Sequence, residues 1–330
     1  MPTAVFLPAD YFVALLLMIA STLCWGSWPN AYKLTRGYRF ELFYWDYVIG
    51  IVLTSLGLAL TLGSTGGPDG FAANVAAADR GNIACALAAG AIWNAANLLL
   101  VAGIEMAGMA VAFPLAIGVA LVEGVVLSYL LQPKGNPVLL ALGLVLATLA
   151  IICDGRAYAS LPVGGRAVGR KGYTVCLASG ALMGLFAPFV TRALTTGHPL
   201  TPYSIAVFYT LGALLCCFVV NIHFMRHPLV GTPIGFRAWI EAPARDHLLG
   251  VAGGVIWGFG TVFNFVAAGF VGVAIAYAIG QAAPMVAAFW GVVAWNEFRG
   301  AGSRAWWSLG LMFGFYVLAL AALTAAFRAN

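Results

Sequence analysis

Charge is what this chain has least of. Asp, Glu, Lys and Arg together make up 8% of its 330 residues, whereas a soluble globular domain carries roughly 25%. So few charges cannot cover a water-exposed surface, which excludes a soluble fold. Catalytic signatures are missing too: the sequence holds no HExxH, no GxSxG and no paired-acid metal motif. The six cysteines (Cys24, Cys85, Cys153, Cys176, Cys216 and Cys217) lie in or at the ends of apolar stretches without metal-ligand spacing, and read as small buried hydrophobes. A net charge of +5 is too modest to point to nucleic acid. No cofactor, metal or nucleic-acid partner is expected.

What the chain does have is apolar length. It is 62% hydrophobic, its mean hydropathy is +0.96, and it carries 40 Gly and 15 Pro, both more frequent in membrane helices than in soluble ones. Runs of about 20 apolar residues predict ten spans, at 11–32, 43–62, 82–104, 108–130, 137–153, 172–195, 202–222, 247–268, 272–293 and 305–327. The third and fourth nearly abut, and the fifth is short. The stretch from Tyr11 lacks a basic start and a small-residue cleavage site, so it reads as the first span and not as a signal peptide. Twelve of the Lys and Arg residues fall in the loops after spans one, three, five, seven and nine, against four on the other side. The positive-inside rule places the twelve in the cytoplasm and both termini outside.

The two halves echo each other. Gly90-Ala91-Ile92-Trp93-Asn94 in span three answers Gly254-Val255-Ile256-Trp257-Gly258 in span eight, and Ala107 to Phe113 answers Phe270 to Tyr277. Five spans per half is an odd number, so the halves insert inverted, an architecture that puts a transport site near the midplane between them. The expected organisation is a five-helix repeat over 1–153, a cytoplasmic linker at 154–171 and a second repeat over 172–330. Pro29 and Pro188 sit in corresponding spans, as do Pro114 and Pro284. They free the carbonyls of Trp25, Gly184, Ala110 and Gly280, which either line a solute site or mark packing kinks.

Cys24-Trp25-Gly26-Ser27-Trp28-Pro29-Asn30, with Tyr44-Trp45-Asp46-Tyr47, resembles the start of a ureide permease. Asn221-Ile222-His223-Phe224, Pro228 to Pro233, Phe236 to Trp239, Gln281 to Pro284, Phe289 to Gly291 and Asn296 to Arg299 extend the likeness through the second half. The resemblance covers most of the chain outside 63–81 and 154–171. It implies the drug/metabolite transporter (DMT) superfamily, kinship with bacterial glucose/ribose porters, ten helices as two inverted five-helix repeats, and proton-linked import of an oxo-heterocycle or a sugar. Two departures stand out. Phe113 and Tyr277 occupy positions where the plant members carry acids, and the loop between the halves is short. Gly164 to Lys171 imitates a P-loop without its Gly-Lys-Ser/Thr, and reads as a basic linker.

Glu123 is the deepest acid, about 6 Å from the middle of its span at 1.5 Å per residue. An acid there costs roughly 2.5–3.5 kcal/mol on insertion scales, so it is expected to face the interior as a proton-coupling residue; an acid bonded between helices is the alternative. Asp46 is the second coupling candidate, although it and Glu297 also read as interfacial anchors for Lys33, Arg36 or Arg299. Arg192 reads as snorkelling to the interface. Asn94, Asn97, Thr261, Asn264 and Gln281 offer polar edges without charge, or serve as glue between helices. Trp25, Trp28, Trp93, Trp257, Phe113 and Tyr277, with Trp290 beside them, offer flat faces, or pack the core. Ser27 and Asn30 complete the candidate solute site. Trp239, Trp295, Trp306 and Trp307 read as interface-belt residues.

These readings describe an all-α plasma- or inner-membrane protein that moves a small neutral polar solute (a ureide, nucleobase or sugar) by alternating access, driven by a proton gradient. An exporter of metabolites or drugs is the alternative, and a homodimer is compatible with it. A channel or a transport-derived receptor would need no proton coupling.

Overall fold

A computed structural model describes residues 5–64, 70–161 and 168–328, and within them all regular structure is helical. Ten helices are long and apolar enough to cross a bilayer. The first half supplies α1 (Tyr11–Lys33), α2 (Phe40–Leu60), α3 (Arg80–Ala107), α4 (Phe113–Leu131) and α5 (Pro137–Ala159). The second supplies α6 (Arg170–Thr195), α7 (Pro202–Arg226), α8 (Ala244–Val271), α9 (Val273–Val293) and α10 (Ser303–Arg328). The face at which α1 ends and α2 begins collects the basic loops and is called the basic face below.

Local chemistry sets the ends. The Asp10 carboxylate accepts from Val13 N, Asn136 Oδ1 accepts from Val138 N and Leu139 N ahead of Pro137, and Thr201 Oγ1 accepts from Ser204 N ahead of Pro202, which satisfies amide hydrogens that a helix start leaves open. Lys134 donates to the carbonyl of Phe270 at the end of α8, at 2.8 Å, and burial holds its ammonium below its usual pKa. α3 and α8 are both 28 residues long and end on Gly108 (φ 73°) and Gly272 (φ 93°), backbone angles that only glycine takes without strain. The chain then reverses at once into α4 and α9, so the near-contact of spans three and four recurs in the second half.

The fifth span is not short. α5 runs to Ala159, and the charges Asp154 and Arg156, which mimic a span end, lie in its last turns. The sequence boundary at 153 thus falls inside a helix. Gly164 to Ala167 of the basic stretch lie outside the described residues, while Arg170 and Lys171 open α6.

Packing follows the repeat. α3 packs on α6 and α7, and α8 packs on α1 and α2; α4 packs on α6, and α9 on α1; α5 pairs with α10 and α2 with α7. Exchanging each helix of one half for its counterpart maps this set onto itself, which is consistent with two inverted five-helix repeats. Glycines permit the closest crossings. A Cβ on Gly90 (α3) would fall 1.7 Å from the Tyr209 carbonyl oxygen (α7), and one on Gly254 (α8) 1.9 Å from that of Tyr47 (α2). Gly212 meets Leu87 and Gly50 meets Val251 in the same way. Small residues at such crossings let helices approach where no hydrophobic force joins them.

Candidate solute-binding site

The repeat-paired helices enclose a cavity of about 360 Å³, at the small end of the roughly 300–1,000 Å³ usual for ligand pockets. Its lining reaches the basic face at the exposed Lys33 and Glu105, beside Phe40 and Tyr158. At the far end it stops at Ala268 and Val273, within α8 and at the start of α9.

Its floor is aromatic. Trp93 and Trp257, matching positions of the two halves, lie with ring centroids 4.2 Å apart and 30° between planes. Trp25 stacks beside Trp257 at 6.1 Å and Tyr209 at 6.4 Å. Phe186 stands edge-on to both Tyr209 and Tyr277 at 5.6 Å. Trp25 fits because Gly260 and Gly280 carry no side chain: a Cβ there would meet its ring at 2.8 Å and 2.5 Å. Its Nε1 donates to Thr261 Oγ1 at 3.2 Å.

Polar edges are few and fixed. Asn97 Nδ2 donates to Tyr44 OH (3.2 Å), which donates to Asn94 Oδ1 (2.9 Å), and this leaves the Asn97 oxygen for the cavity. Asn264 Nδ2 is held by the Ala276 carbonyl at 3.0 Å, so its oxygen too is the available atom. Gln281 lines the break between the two parts of α9, Val273–Gly280 and Ala283–Val293. The site presents acceptors from amides, donors from indoles and hydroxyls, and flat apolar faces, a set suited to a neutral planar solute.

Of the residues expected here, Trp25, Trp28, Asn30, Trp93, Asn97, Phe113, Trp257, Thr261, Asn264, Tyr277 and Gln281 line the cavity. Asn94 stands one layer behind, fully buried on Tyr44. Ser27 is also outside the lining; its hydroxyl accepts from Trp290 Nε1 at 2.9 Å. Asn30 lines the mouth, but its amide is engaged: Nδ2 donates to the Ser27 carbonyl and Oδ1 accepts from Trp295 Nε1 at 2.6 Å. Together these bonds clasp the tip of α1, broken at Pro29, to α9 and the turn beyond it. The prolines act unequally. Pro29 follows a break and Pro114 sits in a π-turn, Phe113–Ile117, whereas Pro188 lies within a continuous α6. With Gly108 matched to Gly272, Pro284 falls opposite Ala120, so Pro114 and Pro284 share helices but not register.

Neither coupling candidate lines the cavity. Glu123 is half-buried against α6, where a Cβ on Gly184 would meet its side chain at 2.8 Å. Asp46 is 2% exposed and pairs not with Lys33, Arg36 or Arg299 but with three other donors: Tyr38 OH at 2.8 Å, His247 Nδ1 at 2.9 Å and Trp239 Nε1 at 3.1 Å. Burial and this bond push the Tyr38 phenol above its usual pKa, so it stays a donor. Trp239 and Trp295 are therefore tied to polar partners and are not free belt residues, whereas Trp306 and Trp307 are exposed. Arg192 is exposed as well. Glu297 forms an ion pair with Lys33 at the mouth and accepts from Tyr158 OH at 3.2 Å.

Comparison with known proteins adds a likeness. The ureide permease family model matches residues 168–326. Ureide permease 1 and ureide permease 2 of Arabidopsis thaliana are each 23% identical to the chain, across 95% of it and 96% of their own length. The likeness is to ureide permeases. Ureide permease 4 of the same plant is 28% identical across 47% of the chain and 40% of its own length. A solved crystal structure, 16% identical, superposes with a TM-score of 0.64 over 96% of this chain and 98% of that one, which shows the fold. The chain is a multi-pass membrane transporter and not an enzyme.

Proposed function

We propose that this transporter belongs with the ureide permeases and carries a small, neutral, flat polar solute of the ureide or nucleobase kind by alternating access between its halves. The observation that carries this reading is the floor of Trp93 and Trp257, flanked by Asn97 and Thr261 at the corresponding next-turn positions, in a cavity of about 360 Å³ where the two repeats meet. Flat apolar rings reward a planar solute, and uncharged amides reward one with mixed donors and acceptors. No side chain in the floor selects for net charge. The basic face is assigned to the cytoplasm, so the described state is open inward, with the solute route closed beyond Ala268 and Val273.

The test is counterflow in proteoliposomes. Labelled allantoin is offered to vesicles loaded with unlabelled allantoin, with uracil, glucose and rhamnose as competitors. Exchange that uracil inhibits is expected. Trp257→Ala is expected to weaken apparent affinity about 2- to 10-fold, the worth of an aromatic contact of about 0.5–1.5 kcal/mol. Conductance without counterflow would make the protein a channel and overturn the reading.

A further inference from the structure

Among the described residues, Asp154 is the one fully buried carboxylate without a hydrogen-bond partner. It lies in the penultimate turn of α5, its exposure is 0%, and neither of its oxygens has a hydrogen-bond partner. An ionised carboxylate in that position has neither counter-ion nor donor, and its burial as an anion is prohibitive. Such a group in a membrane protein marks an ion or proton site by default.

Its surroundings point the same way. Its helix packs along α10, whose buried titratable residue is Tyr316, and is joined to the turn after α9 by the bond from Tyr158 to Glu297. On its own helix it has Cys153 beside it, the exposed Arg156, and Tyr158 one turn nearer the basic face. The single charged residue of α4, Glu123, lies against α6 instead. Tyr158 lines the cavity and donates to Glu297, which pairs with Lys33, also in the lining. Lys33 balances Glu297 alone, so the buried charge of Asp154 is unbalanced unless a proton fills it.

We propose that Asp154 is the proton-binding site of coupled transport, reached from the cavity mouth through Tyr158, Glu297 and Lys33. A proton from water at the basic face passes along the Tyr158 hydroxyl to an Asp154 oxygen and forms an O–H bond; release reverses the step and leaves the carboxylate. Reprotonation each cycle ties the Lys33–Glu297 pair, and hence the clasp of α1 on α9, to the proton gradient. The proposal rests on the transport reading above.

Two measurements separate the claims. In proteoliposomes, Asp154→Asn is expected to keep allantoin counterflow and to lose accumulation driven by a pH gradient. Accumulation that survives in the variant overturns the proposal, as does loss of both activities in a variant that stays monodisperse with an unchanged melting temperature. Infrared difference spectra between acid and alkaline pH, recorded without solute, read the proton directly. A carboxyl band present in the parent and absent in Asp154→Asn supports the site even where allantoin is not carried; a band that persists overturns it. Tyr158→Phe keeps the site's shape and is expected to slow proton-driven uptake more than it slows counterflow; an equal effect on both, or unchanged uptake, removes Tyr158 from the path.

Discussion

Asp46 is a carboxylate whose partners are now known, and they assign it a structural duty. Tyr38, Trp239 and His247 come from the α1–α2 turn, the loop after α7 and the start of α8, so the acid staples the long basic loop to α2. Removing an acceptor strands three donors, each worth about 1–3 kcal/mol when left buried and unmet. Asp46→Ala is therefore expected to lower the melting temperature in detergent clearly, and Asp46→Asn less; equal melting of all three proteins would show that the staple holds nothing. In the cavity, Asn264→Ala is expected to weaken apparent solute affinity about 2- to 10-fold, the worth of one net hydrogen bond of about 0.5–1.5 kcal/mol, with melting little changed; undiminished counterflow affinity would take Asn264 out of the site. The uncharged site residues were legible in the sequence because aromatics and amides recur at matching places in the two halves. Asp154 was not: Asp154 and Arg156 look like a span end, and only the course of α5 shows that the apolar core continues past them. Tyr209 was missed for another reason, since it sits in a long, mostly apolar run where nothing local distinguishes a wall from a core.

Helices carry the repeat more faithfully than single residues do. The Gly90–Tyr209 and Gly254–Tyr47 crossings are the same contact made twice, and the sequence showed one side of each as matching Gly-x-Ile-Trp motifs. The tyrosine side was harder to read, because all that α2 and α7 show of it is a short Tyr-x-x-Gly spacing, Tyr47 with Gly50 and Tyr209 with Gly212. Gly90→Val drives a branched side chain into a carbonyl. It is expected to destabilise by at least the roughly 1–3 kcal/mol of an overpacked core, read as a lower melting temperature; Gly57→Val, at a glycine with open space around it, is the control expected to change little. The prolines were legible as interruptions but not as a symmetric set. Whether a proline kinks, breaks or winds a π-turn depends on what the neighbouring helix offers its stranded carbonyl, which no single stretch of sequence states.

Sidedness belongs to the whole molecule. Charge counting alone sets the basic loops toward the cytoplasm, and it can be tested in intact cells. In a background without the native cysteines, a membrane-impermeant maleimide is expected to label a cysteine placed at the exposed Arg80 and to spare one at the exposed Arg299; the opposite pattern inverts the topology and with it the direction in which the cavity opens. The ten-helix plan was legible because lipid demands long apolar runs and tolerates few charges. The cavity was legible only as a place between the halves, since its shape depends on how closely glycines let helices cross.

One asymmetry has a kinetic consequence. Tyr277 of α9 packs its ring on Gly124 and gives its hydroxyl to the carbonyls of Ala120 and Met183, at 3.3 and 3.2 Å, across the sealed side. Its counterpart is Phe113, which has nothing to donate. In the proposed alternating-access cycle the opposite seal forms without that bond, so an idle carrier is expected to dwell with the basic face open, by about fivefold for a bond worth about 1 kcal/mol. The return of the empty carrier is then expected to be the slow leg of that proposed cycle. Tyr277→Phe should even out the two dwell times and quicken that leg.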